Sequence, residues 1–166
     1  ILSDYEIIIW TTTPWTMPGN RAVAYGENIE YSLIEITTVD ENSLAKTGDK
    51  IVIAKDLLDE VIKELSISTY NIIDNIKGSD FKGSILSHPL CKHGYDHDVP
   101  LLKADFVTTD QGTGFVHIAP GHGADDFELG KKNNLPIPET VSDNGILDID
   151  LPLLGGLRVL KDNEKI

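Results

Sequence analysis

Residues 5–20 read YEIIIWTTTPWTMPGN, an apolar, β-branched run followed at once by hydroxyls, indoles and an amide. The first part, residues 5–11, is too short and too β-branched for a helix and predicts a mostly buried strand. Pro14, Pro18 and Gly19 then predict a turn in place of regular structure. The polar residues are therefore either a strand end with its turn, or the wall of a pocket that holds a polar ligand.

Beyond this stretch, short strand-like segments alternate with turns, and two segments have helical character. Apolar residues in 55–65 recur at i, i+3 and i+4, which predicts an amphipathic helix. Residues 123–134 begin with acids and end with lysines, as the helix dipole favours. Further strands are predicted within residues 21–25, 29–37, 50–54, 69–78, 80–90 and 98–120, with 69–78 and 80–90 as a pair.

Many short strands with two inserted helices predict one α/β domain over residues 1–166. Its core is expected to be mixed, mainly antiparallel and β-barrel-like, with short helices, because a doubly wound parallel sheet needs regular strand–helix alternation. The chain starts without Met and is expected to be a fragment of a longer protein.

The composition restricts the partners. A formal net charge of −13 opposes autonomous binding of a nucleic-acid backbone, so nucleic acid can be handled here only in small part. The single Cys91 excludes an internal disulfide and fits a reducing compartment. No apolar run approaches the roughly 20 residues that span a bilayer.

A second informative stretch is residues 112–126, GTGFVHIAPGHGADD. His117 is expected near the end of a strand, before a glycine-containing loop that lets a ligand approach the backbone. Asp125 and Asp126 then fall in the first turn of a helix. His117 is either a hydrogen-bonded core histidine or a functional one, and each aspartate is either a dipole partner or functional.

Two groups of residues superficially suggest a metal. Residues 88–98, HPLCKHGYDHD, contain three histidines, one cysteine and two aspartates, but no CxxC or HExxH pair, so a solvated loop is the favoured interpretation. A second possible metal set consists of His117, His122, Asp125 and Asp126, and here too a site without metal is the favoured interpretation. No metal is predicted at either place, and no GxSxG elbow, P-loop or dinucleotide-binding loop follows a strand.

Together, the two stretches resemble the editing domain inserted in isoleucyl-tRNA synthetases, a relative of the valyl and leucyl editing domains. Residues 10–20 resemble the threonine-rich peptide of that family, and residues 112–127 resemble its second signature. Residues 99–107 and 128–137 also look like the family. The valyl and leucyl relatives have a Pro-Ala-His-Asp type of loop, whereas this chain has APGHGADD after His117.

The resemblance implies hydrolytic proofreading: a positioned water deacylates valyl-tRNA(Ile) in a pocket that excludes isoleucine. Hydrolysis of valyl-adenylate is left open. Isoleucine differs from valine by one methylene, which an apolar pocket discriminates by only about 1–3 kcal/mol, a limit for which these enzymes are the standard example. A second, smaller sieve would correct the resulting errors.

The resemblance also implies roles for particular residues. Asp126 is expected to receive the substrate's α-ammonium group, and His117 to border the side-chain pocket. The catalytic set is expected to be Thr11, Thr12, Thr13 and Asp126, with the threonines holding the ester, the ribose and the water. The substrate-binding set is expected to be His117, Trp15, Asn20, Asp126, Gly121 and Gly123.

The remaining expectations concern the setting. No cofactor and no covalent intermediate are expected, and the partners are the 3'-terminal aminoacyl-adenosine of tRNA(Ile) and the synthetic and tRNA-binding domains of a parent synthetase. A cytoplasmic monomer without membrane contact is expected. The alternatives are a valyl-type editor that acts on threonyl-tRNA, a non-hydrolytic aminoacyl-adenosine binding module, and a metal-dependent hydrolase.

Overall fold

The strands of the chain form two four-stranded sheets in a computed structural model that describes residues 2–162 and 165–166. The strands are β1 (Glu6–Ile7), β2 (Ala22–Tyr25), β3 (Glu30–Val39), β4 (Lys50–Ala54), β5 (Ile67–Lys77), β6 (Ile85–Ser87), β7 (Asp98–Lys103) and β8 (Phe115–Ile118). The α-helices are α1 (Leu58–Glu64) and α2 (Ala124–Lys132). Short 3-10 helices span Pro14–Gly19, Lys55–Leu57, Gly78–Phe81 and Cys91–His93.

The strand order is β1-β4-β3-β5 in the first sheet and β6-β7-β2-β8 in the second. β1 pairs with β4 in parallel, whereas β3 runs antiparallel to both β4 and β5, and β6 runs antiparallel to β7. The predicted mixed, mainly antiparallel α/β fold is confirmed. "Barrel-like" describes it only loosely, because the described strands make two separate sheets and close no barrel.

The described chain divides into two compact units. The first consists of the described residues of Ile1–Trp10, Ala24–Lys82 and Lys103–Val116, and the second of those of Thr11–Val23, Gly83–Leu102 and His117–Ile166. The single domain over residues 1–166 remains a prediction.

The first unit is built on apolar residues of β3 and β4. Leu33, Ile34 and Ile53 are fully buried, and the aromatic ring of Tyr31 packs against Phe81 and Phe115 at 4.9 and 4.7 Å between centroids. The Tyr31 hydroxyl donates to the Gly114 carbonyl at 2.8 Å, and burial raises the pKa of this tyrosine to about 12. The phenol is therefore a neutral donor in this core at ordinary pH.

Three local predictions are corrected by the structure. The strand predicted over residues 5–11 is paired only at Glu6–Ile7, because the Ile8 carbonyl accepts from the Thr113 hydroxyl at 2.6 Å. The predicted turn at Pro14–Gly19 is a 3-10 helix, whose start tolerates proline because the first N–H groups need no helical partner. The predicted pairing of 69–78 with 80–90 is wrong.

Burial explains the different pairing. β5 pairs with β3 and β6 with β7, since the intervening Phe81 is 1% exposed and packs against Tyr25 and Tyr31. A hairpin between β5 and β6 would have to release this ring. The amphipathic helix predicted over residues 55–65 is present, although its first turn is the 3-10 helix Lys55–Leu57.

The C-terminal part of the second unit has little regular structure. Two isolated bridges join Val141 to Leu147 and Ile146 to Arg158. Leu147 is fully buried in a small apolar cluster with Leu154 and Val159, and the indole of Trp15 packs against this cluster. In the part of the chain that the structure describes, no helix is long and apolar enough to cross a membrane.

Gly114→Ala should strongly destabilise the chain. Gly114 has φ +83°, and an added Cβ would overlap the Cβ of Ala54. Left-handed strain of about 1–2 kcal/mol and overpacking of about 1–3 kcal/mol should both lower the free energy of unfolding, measured in urea.

Gly112→Ala is the matched control. Gly112 has φ +82° with no atom within 4 Å of an added Cβ. The substitution should therefore lower the free energy of unfolding only by the left-handed backbone strain. Equal losses for the two variants would contradict the close packing of Gly114.

Candidate functional site

The threonine-rich segment supplies three hydroxyls near the surface of the second unit. The backbone N–H of Thr13 donates to the Thr11 hydroxyl at 3.0 Å, and the two hydroxyl oxygens are 3.3 Å apart. Thr12 and Thr13 are exposed and Thr11 is half-buried. This turn keeps the Thr11 and Thr13 hydroxyls side by side and open to solvent.

The next turn of the segment connects to His117 on β8. Thr16, 6% exposed, donates from its hydroxyl to the Thr13 carbonyl at 2.9 Å and lies 3.0 Å from His117 Nε2. Asn20, 2% exposed, places its Nδ2 3.0 Å from the Ala22 carbonyl and 2.6 Å from His117 Nδ1. Both ring nitrogens of His117 therefore have a partner on the threonine-rich segment.

The donors in this network determine where the proton of His117 lies. The amide nitrogen of Asn20 must face the Ala22 carbonyl, which can only accept, so its second hydrogen points at His117 Nδ1. Nδ1 then accepts. The Thr16 hydrogen is engaged by the Thr13 carbonyl, so its oxygen accepts from Nε2–H. We assign His117 as the neutral Nε2–H tautomer.

The electrostatics agree with this assignment. Burial, together with the nearby His88 and His122, lowers the pKa of His117 from 6.5 to about 4. A positive charge would also require Nδ1 to donate, and the Asn20 amide hydrogen occupies that direction. The ring is a neutral, fixed part of the site at neutral pH.

Asp126 lies at the start of α2, beneath the glycine loop. Its Oδ2 accepts from the Ala119 backbone N–H at 2.7 Å, while a Cβ placed on Gly123 would come within 2.9 Å of its Oδ1. Burial raises the pKa of this carboxyl, and Asp125 raises it too, whereas the Ala119 hydrogen bond lowers it. The absence of a side chain at Gly123 leaves room beside the second oxygen.

His122 forms a third part of the site, with Trp15 and Thr140. Its Nε2 lies 2.7 Å from the Thr140 hydroxyl, and its ring meets the Trp15 indole edge-on at 5.3 Å. A Cβ on Gly19 would lie 3.2 Å from His122 Cδ2. Burial lowers the pKa of His122, and Asp126 opposes that shift. The glycine permits the ring to lie against the 3-10 helix.

All the residues proposed from the sequence belong to the second unit, but the structure joins only some of them. A hydrogen bond joins Asn20 to His117, whereas the hydroxyl of Thr11 bonds to that of Thr13. Gly121 is exposed, and an added Cβ there would meet the Pro138 carbonyl at 3.1 Å. Together, Trp15 and Gly123 border His122 and Asp126.

Sequence reasoning assigned no role to two residues that complete the network. Thr16 lies in the quoted threonine-rich segment, and its position there was the one available signal. Thr140, 1% exposed, lies in a turn-rich segment, and only the fold brings it to His122.

The histidine-rich segment 88–98 contributes hydrogen bonds. His88 Nε2 donates to the Met17 carbonyl at 3.0 Å, and its Nδ1 accepts from the Leu90 N–H at 3.0 Å. Within the described residues, no group of three or more histidine, cysteine, aspartate or glutamate side chains is arranged to hold a metal ion.

Comparison with known proteins gives the family. The family model described as "Leucyl-tRNA synthetase, editing domain" matches residues 5–150. The chain is 48% identical over 162 residues to an isoleucine–tRNA ligase of Pelagibacter ubique and 43% identical over 160 residues to one of Gluconobacter oxydans. These alignments cover 98% and 96% of this chain but only 18% and 17% of the relatives.

A solved structure has a similar fold. A crystal structure of the P. falciparum cytosolic leucyl-tRNA synthetase editing domain superposes with a TM-score of 0.61 at 18% identity, over 80% of this chain and 49% of that one. This chain belongs to the aminoacyl-tRNA synthetase editing-domain family. Its curated relatives are isoleucine–tRNA ligases, and it spans less than a fifth of their length.

The neutral state of His117 should make the chain's stability depend on pH. The unfolded histidine binds a proton near pH 6.5 and the folded one only near pH 4, so its contribution is fully present above pH 6.5 and is lost on acidification through this window. The loss should be on the order of 3 kcal/mol. Urea unfolding from about pH 7 to about pH 4 measures it.

His117→Gln provides the comparison, because the amide does not titrate. His88 and His122 remain in both proteins, and so does Asp126, whose pKa shift has the opposite effect. The variant should therefore lose less stability over this window than the parent. Identical slopes would show that His117 has the same pKa in the folded and the unfolded chain, and would contradict the lowered pKa of the buried ring.

Proposed function

We propose that this chain is a proofreading ester hydrolase that releases valine from the 3'-terminal adenosine of tRNA(Ile). The observation that carries the proposal is a neutral histidine, His117, whose two ring nitrogens are both hydrogen-bonded by the threonine-rich segment, in the same unit as an anchored carboxylate. Family membership and similarity to isoleucine–tRNA ligases support it.

Asp126 suits the α-ammonium group of the substrate. One carboxylate oxygen is held by the Ala119 N–H, so the group has a fixed orientation. Its pKa is raised because burial penalises the charge, and a cation beside it would offset that penalty. A charge-assisted hydrogen bond of this kind contributes about 1.5–3 kcal/mol.

His117 suits a pocket wall that recognises shape. Both of its nitrogens already have partners, so the ring offers a substrate its apolar carbon edges. A threonine hydroxyl would find no free donor or acceptor on this ring, and this favours valine over threonine as the editing substrate. Isoleucine, with one more methylene, would be excluded by overlap.

The Thr11 and Thr13 hydroxyls suit the ester and the attacking water. They lie side by side and accessible to solvent, and together with Thr12 they supply neutral donors and acceptors without a nucleophile of high reactivity. An aminoacyl ester is an activated bond, so a water held in line needs only part of the roughly 7–11 kcal/mol that positioning can contribute. No covalent intermediate and no cofactor enter this mechanism.

The remaining predicted contacts complete the proposal. Trp15 would flank the aminoacyl group, Asn20 would act by orienting His117, and the Gly121–Gly123 loop would face the adenosine. Because the chain carries a net charge of −13, the tRNA body would be held by other domains of a parent ligase. A cytoplasmic location, a monomeric state and action on valyl-adenylate remain predictions.

The proposal is tested with the 3'-valyl, isoleucyl and threonyl esters of adenosine, which need no tRNA-binding surface. The valyl ester should be hydrolysed above the spontaneous rate, and the isoleucyl ester about 10–200-fold more slowly, the range that one methylene allows. Asp126→Ala should lower kcat/KM for the valyl ester about 10- to 100-fold. Release of free amino acid is the measurement.

Asp125→Ala is the matched control, since Asp125 is an exposed carboxylate in the same helical turn. It should leave kcat/KM within about twofold of the parent. Equal damage from the two variants would contradict the role of Asp126. Faster hydrolysis of the threonyl ester would identify a valyl-type editor, and binding without turnover would identify a sensing module. Activity lost on adding a chelator would identify a metal-dependent hydrolase.

A further inference from the structure

The end of the 3-10 helix Pro14–Gly19 is held by two side chains from the segment between β6 and β7 and by Arg21, which directly precedes β2. The Met17 carbonyl accepts from His88 Nε2 at 3.0 Å, and the Asn20 carbonyl accepts from His97 Nε2 at 3.0 Å. Arg21 NH1 donates to the Pro18 carbonyl at 3.2 Å and also to the Asn20 carbonyl. The Met17 carbonyl also accepts from the Asn20 backbone N–H at 3.0 Å, so the side chains add to the bonds that hold this helix end.

His88 is fixed more firmly than a solvated loop residue would be. It is 1% exposed, its ring stacks on Tyr95 at 4.9 Å with an interplanar angle of 16°, and Leu90 N–H occupies its Nδ1. Tyr95 in turn donates to the Pro152 carbonyl at 2.9 Å. The ring therefore has one available orientation, with Nε2–H toward Met17.

The neighbouring groups keep this ring neutral. Burial lowers the pKa of His88, and both His97 and Arg21 lower it further, whereas the Met17 carbonyl raises it. The His97 ring lies 5.1 Å away, and His97 Nε2 is 3.1 Å from Arg21 NH1. His97 Nε2 and Arg21 NH1 both donate to the Asn20 carbonyl. The contact between these two nitrogens is therefore a close approach of two donors and not a hydrogen bond.

We propose that His88 and His97 are positioning residues for the editing reaction, acting with Arg21 through the backbone carbonyls of Met17, Pro18 and Asn20. The inference rests on the proposed function of the same site. By holding the backbone carbonyls of Met17 and Asn20, they hold in place Asn20 itself and Thr16, the neighbour of Met17, whose side chains hydrogen-bond His117. They do not touch the substrate and are not catalytic residues.

The length of the segment explains why such an anchor matters. A 3-10 helix of six residues with an internal proline holds itself poorly, because its hydrogen bonds are few and of weak geometry. Yet Asn20 must keep its amide aimed at both the Ala22 carbonyl and His117 Nδ1. External donors to the last carbonyls supply the rigidity that the short helix lacks.

The test compares His88→Gln with His88→Asn in a Trp10→Phe background, where Trp15 is the only tryptophan. The glutamine amide nitrogen can occupy the place of Nε2 and donate to Met17, whereas the shorter asparagine reaches only the place of Nδ1. The emission maximum of Trp15, the urea midpoint, and kcat and KM for valyl-adenosine ester are measured for each protein.

We expect the asparagine variant to shift the Trp15 emission to longer wavelength and to lower kcat about tenfold with KM within about twofold, as the loss of one buried hydrogen bond permits. The glutamine variant should restore both readings toward the background protein. His97→Gln and His97→Asn, at a partly exposed ring, repeat the comparison if His88→Asn does not fold.

Three results would overturn the inference: equal behaviour of the glutamine and asparagine variants, an unchanged Trp15 emission, or a changed emission with unchanged kcat. If the background protein does not hydrolyse the ester at all, the proposed function fails. The Trp15 emission then still decides whether the histidines hold the segment.

Discussion

The requirement that His117 stay neutral inside a polar wall governs the second unit. A buried imidazole needs a donor at one nitrogen and an acceptor at the other, and here both come from a single short segment, through Asn20 and Thr16. The segment must therefore keep one conformation, and its Met17 and Asn20 carbonyls accept hydrogen bonds from His88 and His97. The rest of the site is arranged around this constraint.

One group is left unsatisfied by the arrangement. Asn20 Oδ1 is buried and has no hydrogen-bond partner among the described residues, although both amide hydrogens are used. Such an oxygen costs about 1–3 kcal/mol. Asn20 therefore stabilises the orientation of His117 at the expense of folding stability, a pattern that is common where a chain keeps a polar residue for function.

The sequence predicted most of the elements, and it failed where long-range packing decides; the site residues proposed from it remain predictions. β-branched runs, an amphipathic repeat and helix charges identify β3, β4, α1 and α2 locally. The partner of β5 depends on where Phe81 is buried, and this contact has no local signature. Likewise, the histidines of residues 88–98 looked like loop or metal residues because their acceptors, the carbonyls of Met17 and Asn20, are about 70 residues away along the chain.

The most direct test of this account is a long-range ¹H–¹⁵N spectrum of the histidine side chains at neutral pH, with His117→Gln to assign the ring. The account predicts a neutral His117 with the proton on Nε2 and an unprotonated, hydrogen-bonded Nδ1. A proton on Nδ1, or two equivalent protonated nitrogens, would contradict it, because Asn20 could then not donate to the ring and the neutral wall would not exist.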